Sequence, residues 1–544
     1  MHRADVKDCL QHMVGGGRVS RTVLAGGLVI DGTGAQGQVA DITMEDGIIV
    51  SIDPASTSHG TTRVRRVDGL VVAPGFIDTH SHADNAPLLE TPDVSKILQG
   101  VTTEIVGNCG ISLAPRSLQR ADLLDSYLQR FFPAQKWDGE SFGDLLAVSD
   151  RCGYVTNYAP LVGHGTLRIA VMGFEGREAS PRELAGMRSL LDDALDAGAV
   201  GVSSGLVYPP GRFANTAELV ELARSLHDRP ALYASHIRSE SGERIAAVEE
   251  AIMVGREAGV RVQISHHKAM GEAHWGEVEL TLALAREARA SGVDVRFDVY
   301  PYTASSTNLT SCLPPDLAGL SNEALLIELE LPEVVAGLRV ALAKGDWDNH
   351  VHQCGGFSGI LISSTHDRRY ESLTLEDIAL ELGCDGTDAL VHVLVTERLR
   401  ATMVCFAMSD TDVENALRDE FTSIGSDGLP PGVPGKPHPR QWGTFPRVLG
   451  RYVRDRGILT LEQAVRQMTS LPAETFHLPG VGRIAPGYAA DLVVFDASSV
   501  EDLATYTEPQ VAPRGVSAVY ISGVEAVSQG RYSGRRAGRR LRSE

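Results

Sequence analysis

The stretch Ala231-Leu-Tyr-Ala-Ser-His236-Ile-Arg238, a helical pattern over 243–259, and then Val260-Arg-Val-Gln-Ile-Ser-His266-His267-Lys268 decide the fold. A short apolar run, a helix and a second apolar run form a crossover unit, which lays two strands side by side and parallel. Each run ends in Ser-His. The two histidines therefore stand at the same end of neighbouring strands.

The same rhythm extends in both directions. Val101-Thr-Thr-Glu-Ile-Val106 leads into a helix, and Ala199-Val-Gly-Val202 into a helix over 216–228. A helix over 276–291 precedes Val293-Asp-Val-Arg-Phe297, and Thr422-Ser-Ile424 comes last. Such units from 73 to 479 predict an α/β parallel sheet, most economically a TIM-like (β/α)8 barrel. Residues 313–367 break the rhythm and read as an insertion, either a lid or an inert elaboration.

The two ends have another texture. Between 22 and 72, short β-branched runs alternate with the turns Asp31-Gly32 and Asp46-Gly47. After 480, Asp491-Leu-Val-Val-Phe-Asp496 and Val516-Ser-Ala-Val-Tyr-Ile-Ser522 repeat the pattern. Residues 1–72 and 480–544 are expected to meet in one small β domain, since chain ends often lie close together. The last segment finishes in an arginine-rich tail, 534–544, which reads as a solvated, mobile end.

Composition narrows the function. The 544 residues carry 70 acidic and 50 basic side chains, a net charge of −20. That field repels phosphate backbones, so nucleic acid is not the expected partner. No apolar run reaches the roughly 18 residues of a membrane span. Residues 1–21 lack the apolar centre of a signal peptide. The seven cysteines, Cys9, Cys109, Cys152, Cys312, Cys354, Cys384 and Cys405, form no C-x-x-C pair. They suggest a reducing, cytoplasmic setting. Nothing in the sequence sets an oligomeric state.

Chemistry-bearing residues fall where barrel strands should end. Val71-Val-Ala-Pro-Gly-Phe-Ile-Asp-Thr-His80-Ser-His82 delivers two imidazoles two residues apart, on one face of a strand. Such pairs also occur on ordinary surfaces. Cys109 follows a strand between Asn108 and Gly110, outside any apolar run, and as a thiolate would be a soft ligand for zinc. His236 and His266 repeat one position in consecutive units, which favours metal binding over two separate core histidines. His267 faces the other way. Phe421-Thr-Ser-Ile-Gly-Ser-Asp427-Gly428 ends a strand in an aspartate; alone it is a turn residue, but beside these ligands it becomes a candidate general acid/base.

With these residues in view, the sequence resembles the amidohydrolase superfamily and, within it, the N-acyl-D-amino-acid deacylases. The resemblance rests on Pro74-Gly-Phe-Ile-Asp-Thr-His-Ser-His82, Gly107-Asn-Cys-Gly110, Ser203-Ser-Gly-Leu-Val-Tyr-Pro-Pro210, His236-Ile-Arg-Ser-Glu240, Ile264-Ser-His-His-Lys268, Gly425-Ser-Asp-Gly428, Lys436-Pro-His-Pro-Arg440 and Gly487-Tyr-Ala-Ala-Asp-Leu-Val-Val-Phe495. It implies a metal-dependent hydrolase barrel with a small β-sandwich built from both ends. It further implies zinc (Zn2+) held by Cys109, His236 and His266, with His80 and His82 lining a second, weaker position, and Asp427 as acid/base. The implied partner is a small anionic substrate, an N-acyl amino acid. Its α-carboxylate would meet Lys268 and the segment from Asp298 to Ser306, through Tyr300 and Ser306 unless these pack the rim. His164 and Tyr208 would edge the pocket or serve structure alone. A cyclic amidase of the hydantoinase or dihydroorotase kind shares the histidine pair and final aspartate. The presence of Cys109, and the lack of a lysine in the strand segments between Cys109 and His236, argue against it. A catalytically dead scaffold would be expected to have lost ligands.

Overall fold

The computed structural model describes residues 21–56, 63–134, 137–345 and 347–544; the expectation about the first 21 residues lies almost wholly outside these, as does Cys9. Among the described residues, no helix is long and apolar enough to cross a membrane.

Eight parallel strand positions close into a barrel. Phe76–Asp78 pairs with Val101–Val106, which pairs with Asn157–Pro160. That third strand is interrupted at Leu161 and resumes as Val162–Gly163, with the Leu161 amide donating to Val106 and the Val200 amide to Pro160. Gly201–Gly205, Leu232–His236, Val262–Ile264, Val295–Val299 and Thr422–Ile424 follow in parallel register. The eighth strand returns to the first: the Thr79 amide donates to Ile424, and Ser81 bridges Gly428. The crossover helices lie close to the expected spans, at Arg244–Ala258 and Val278–Ala290. The former ends at Gly259, whose φ of +68° suits a residue without Cβ.

Inward-facing residues of the strands form an apolar floor. Leu232 and Ala234 join Ile77, Ile105, Ala159, Leu161 and Val200 there, plugged from below by Phe476, Leu478, Val481 and Leu541. Residues two apart share a face, so His236 rises from the same row as Leu232 and Ala234. The floor is dry and the rim polar, which puts the chemistry at the C-terminal mouth.

The chain ends share one nine-stranded sheet, mostly antiparallel. Val71–Pro74, the approach to the first barrel strand, sits at its centre between Thr22–Val29 and Leu492–Phe495. The sheet folds over its own core of Leu24, Ile42, Met44, Ile49, Val72, Leu492, Val494 and Tyr520, and Ile48 bridges Ala489.

Two expectations change. The arginine-rich tail is docked along the third barrel strand: the Leu541 amide donates to Tyr158 and the Tyr158 amide to Arg539. Arg536 donates to the carbonyls of Pro87, Leu89 and Gly153, and Arg540 pairs with Asp150 at 2.9 Å. Its charges meet carbonyls and a carboxylate brought from distant parts of the chain, and a run of like charge in the sequence carries no sign of them. The break between the seventh and eighth strands also reaches beyond 313–367. It runs from Ser305–Asn308 to Thr402–Cys405, because these two segments pair with each other and with Ile360–Ser364 in a three-stranded sheet.

One buried ion cluster braces the helical layer. Glu218 accepts from Arg168 Nη1 at 2.6 and 2.7 Å and lies 2.8 Å from His164 Nε2. Burial alone would raise its pKa, but His164 and Arg168 bring it down to about 2. A depressed carboxylate stabilises the fold above its ordinary value of 4.5 and loses that contribution as pH falls toward 2. Glu218→Gln strands the buried Arg168 and should cost about 3 kcal/mol or more at pH 7. In thermal melts the gap in Tm from wild type should shrink as pH falls through this window.

Candidate metal centre and active site

Three site residues sit in the left-handed backbone region that non-glycine residues seldom adopt: Cys109 at φ +53°, His266 at +34° and Asp427 at +49°. Strain of this kind persists where the surroundings over-determine it, and it clusters at functional sites. All three follow strand ends. Around Cys109 the chain packs so closely that a Cβ on Gly205 would stand 2.1 Å from the Cys109 carbonyl oxygen. His266 is thus presented by a turn after Val262–Ile264 rather than by strand alternation.

The turn brings the expected ligands together. Cys109 Sγ lies 3.3 Å from His80 Nε2 and 3.4 Å from His266 Nε2. The His236 and His266 rings meet edge to face with centroids 4.4 Å apart. Ligand atoms converge in three groups: His80, Cys109 and His266; His80, His82 and Asp427; and His236, Glu240 and His266. His267 points away, its Nε2 2.9 Å from Thr281 Oγ1 and its ring on Phe297; burial, with Arg244 nearby, depresses its pKa to about 3.

Buried partners orient these ligands. Asp298 Oδ1 lies 3.2 Å from His80 Nδ1 and accepts from the His266 amide at 2.7 Å, while Oδ2 accepts from Gln263. Asp298, expected among the substrate-holding residues, is instead a support behind the ligands. Glu240 Oε1 stands 3.0 Å from His266 Nδ1, while Nε2 faces Cys109. Lys268 Nζ contacts the same carboxylate and lies 2.8 Å from His266 Nδ1.

The acidic groups and imidazoles of the site ionise one another. Burial pushes the Cys109 thiol up, but His80 and His266 overcome it and hold the thiol well below its ordinary value, as a thiolate. Burial likewise opposes charge on Asp427, yet Arg440, His80 and His82 keep it ionised. Lys268, His236 and His266 do the same for Glu240. His82, 3.2 Å from Asp427 Oδ1, is lowered by burial but raised on balance to about 9 by Asp427 and Cys109. Among these groups, both ring nitrogens of His236 are buried and lack a hydrogen-bond partner. A buried unpaired nitrogen costs about 1–3 kcal/mol. A thiolate, imidazoles and a doubly unpartnered histidine suit a zinc ion.

Cys109, His82, His236, His266 and Asp427 line a cavity of about 90 Å³ together with Lys268, Tyr300, Ser306 and Tyr208. His80 lies just behind, and His164 is held by Glu218 away from this lining. Tyr300 offers its ring to two cations, Arg440 at 4.6 Å and Lys268 at 5.5 Å. Ser306 Oγ donates to the Met403 carbonyl, whereas the adjacent Ser305 Oγ has no partner.

Two residues escaped the sequence reading as site groups. Arg440, fully buried, lies 2.9 Å from Asp427 Oδ2, an ion pair whose angle is too poor for a hydrogen bond. Glu240 holds His266 and Lys268. Both lay inside quoted motifs, Lys436-Pro-His-Pro-Arg440 and His236-Ile-Arg-Ser-Glu240, but only tertiary contact shows what they face.

Cys109→Ala and His236→Ala should each weaken zinc binding at least about tenfold, read as zinc retained per chain after dialysis against a graded chelator. Equal retention by both variants and wild type would remove them from the metal group.

The sequence pattern of the amidohydrolase family matches residues 361–527. D-aminoacylase of Alcaligenes xylosoxydans xylosoxydans is 39% identical over 523 residues, 95% of this chain and 97% of that protein. N-acyl-D-glutamate deacylase of the same organism is 40% identical over 525 residues, 96% of each chain. The crystal structure of N-acyl-D-glutamate deacylase from Bordetella bronchiseptica, complexed with zinc and a phosphonate mimic of the tetrahedral intermediate, superposes with a TM-score of 0.80 at 37% identity. It covers 96% of this chain and all of that one. With relatives of that identity along nearly its whole length, this chain belongs to the N-acyl-D-amino-acid deacylase (D-aminoacylase) family of the amidohydrolases.

Proposed function

We propose that this protein is a zinc-dependent hydrolase that cleaves the amide bond of N-acyl-D-amino acids, yielding a carboxylate and a free D-amino acid. The observation that carries the reading is one cavity in which the Cys109 thiolate, His236, His266 and the ionised Asp427 face Lys268 and Tyr300, with Arg440 against Asp427. The handedness follows the relatives, which are a D-aminoacylase and an N-acyl-D-glutamate deacylase.

Cys109, His236 and His266 would hold the zinc, and His80 and His82, with Asp427, a second and weaker ion. The chemistry zinc supplies when bound is Lewis acidity, which polarises a carbonyl and makes water acidic near neutral pH. The protein supplies the proton transfers. Asp427, kept ionised by Arg440 and the histidines, takes a proton from the attacking water as oxygen adds to the carbonyl carbon. It returns that proton to nitrogen as the C–N bond breaks, so one water is consumed. Arg440 restrains Oδ2 and leaves Oδ1 toward the histidines. Lys268, over the Tyr300 ring, offers the substrate α-carboxylate a cation, and Ser306 Oγ would join it by turning from the Met403 carbonyl.

Asp427→Asn should retain zinc and lower kcat by roughly 10²–10⁴-fold; substantial activity in this variant would sink the acid/base assignment. A screen of N-acetyl-D- and N-acetyl-L-amino acids with zinc, alongside hydantoin and dihydroorotate, should show turnover of the linear D compounds only. Preferential opening of either ring would favour the cyclic amidase reading.

A further inference from the structure

Under the turn that carries Asp427 lies a buried polar cluster that the proposed mechanism does not use. Its members, Lys96, Asp78, Ser81, Glu104 and Ser426, are each 5% exposed or less, and none of them lines the cavity. Lys96 precedes the turn Ile97–Gln99, between the first and second barrel strands. Its Nζ donates to Asp78 Oδ2 at 2.9 Å, to Ser81 Oγ at 3.2 Å and to Glu104 Oε2 at 3.3 Å. All three donors of the ammonium are thus engaged. Burial opposes the charge, but Asp78 and Glu104 raise the Lys96 pKa above its ordinary value.

Among the described residues, Lys96 is the one ion-pair partner of Asp78. Asp78 Oδ1 accepts from the Ser426 amide at 2.7 Å and from the His80 amide at 3.2 Å, and Oδ2 accepts from Ser426 Oγ at 2.6 Å. Ser426 Oγ accepts in turn from the Gly428 amide at 3.0 Å, and the His80 carbonyl accepts from the Asp427 amide at 2.7 Å. The three amides of Ser426-Asp427-Gly428 therefore all go to Asp78 or to a residue that Asp78 holds.

This turn keeps Asp427 at φ +49°, a backbone that persists only where its surroundings over-determine it. Lys96 also packs against the turn directly, since a Cβ on Gly428 would stand 3.0 Å from Nζ. Removing the ammonium leaves Asp78 a buried carboxylate without a counter-charge. Asp78 relieves that by shifting, and the turn shifts with it. A misplacement of about 1 Å at a reacting group costs roughly a hundredfold in rate.

We propose that Lys96 is a positioning residue for the acid/base: by holding Asp78 it fixes the turn that aims Asp427 at the histidines, without itself touching substrate. The inference rests on the deacylase reading, in which Asp427 moves the proton.

The test measures kcat per zinc-bearing chain, KM for N-acetyl-D-amino acids, zinc retained against a graded chelator, and Tm. Lys96→Met, which keeps an unbranched chain and loses the charge, should lower kcat roughly tenfold to a hundredfold while KM stays within about threefold. Zinc retention should match wild type, and Tm should fall. Adding Asp78→Asn to that variant removes the stranded charge and keeps an oxygen for the two amides. The pair should regain about threefold or more in kcat over Lys96→Met alone. Ser426→Ala strands no charge and should lower kcat about threefold to tenfold, even if the lysine variant folds poorly.

A merely structural role would lower Tm and leave kcat per zinc-bearing chain as in wild type. That result in Lys96→Met, or in Ser426→Ala where the lysine variant does not fold, overturns the inference and leaves the deacylase reading intact. A loss carried by KM or by weakened zinc retention, or no recovery in the double variant, overturns it equally. Wild-type enzyme that hydrolyses no N-acetyl-D-amino acid, or Asp427→Asn with full activity, overturns both.

Discussion

One buried carboxylate, Asp298, holds the site together. It reaches His80 from the first barrel strand, the amide of His266 after the sixth, and Gln263 beneath, while sitting on the seventh strand itself. An ion removed from water persists only when it is well hydrogen-bonded, and these three groups supply that. Engaging it fixes the His80 ring, holds the left-handed turn that turns His266 toward Cys109, and ties three strands together at the barrel mouth. Glu240 repeats the device on the other side of His266. Both carboxylates position imidazoles; Asp298 does so from behind, while Glu240 also lines the cavity.

The overall charge of −20 takes on a local meaning in this light. Acidic side chains at the mouth are held ionised by close cations, so the charges there are balanced in pairs. An anionic substrate then needs cations that are not consumed in that balance. Lys268 and Arg440 are shared with Glu240 and Asp427, and Arg212, on the cavity wall, has no ion pair among the described residues. An acidic protein taking an anion is therefore a matter of where the few cations at its mouth sit.

Repeated crossover units were legible because an apolar run has a period and a helix another, and both survive in one dimension. His80, Cys109, His236, His266 and Asp427 could be singled out because each interrupts or ends such a run. The docked tail was misread for the complementary reason: the partners of Arg536 and Arg540 lie far away along the chain, and their carbonyls have no sequence signature. The same holds for the excursion, whose outer strands, near 305 and 405, are defined by pairing with each other.

The sequence by itself determined the barrel, the sharing of one sheet by both ends, and the identity of the candidate ligands, because these depend on periodicity and residue type. Only the tertiary structure decided what those residues face. It put Asp298 behind the ligands rather than against the substrate, paired Lys268 with Glu240, brought Arg440 to Asp427 and left Arg212 without a counter-ion. Pairing of charges depends on distances of a few ångströms between segments far apart in the chain, and chain order does not encode those distances.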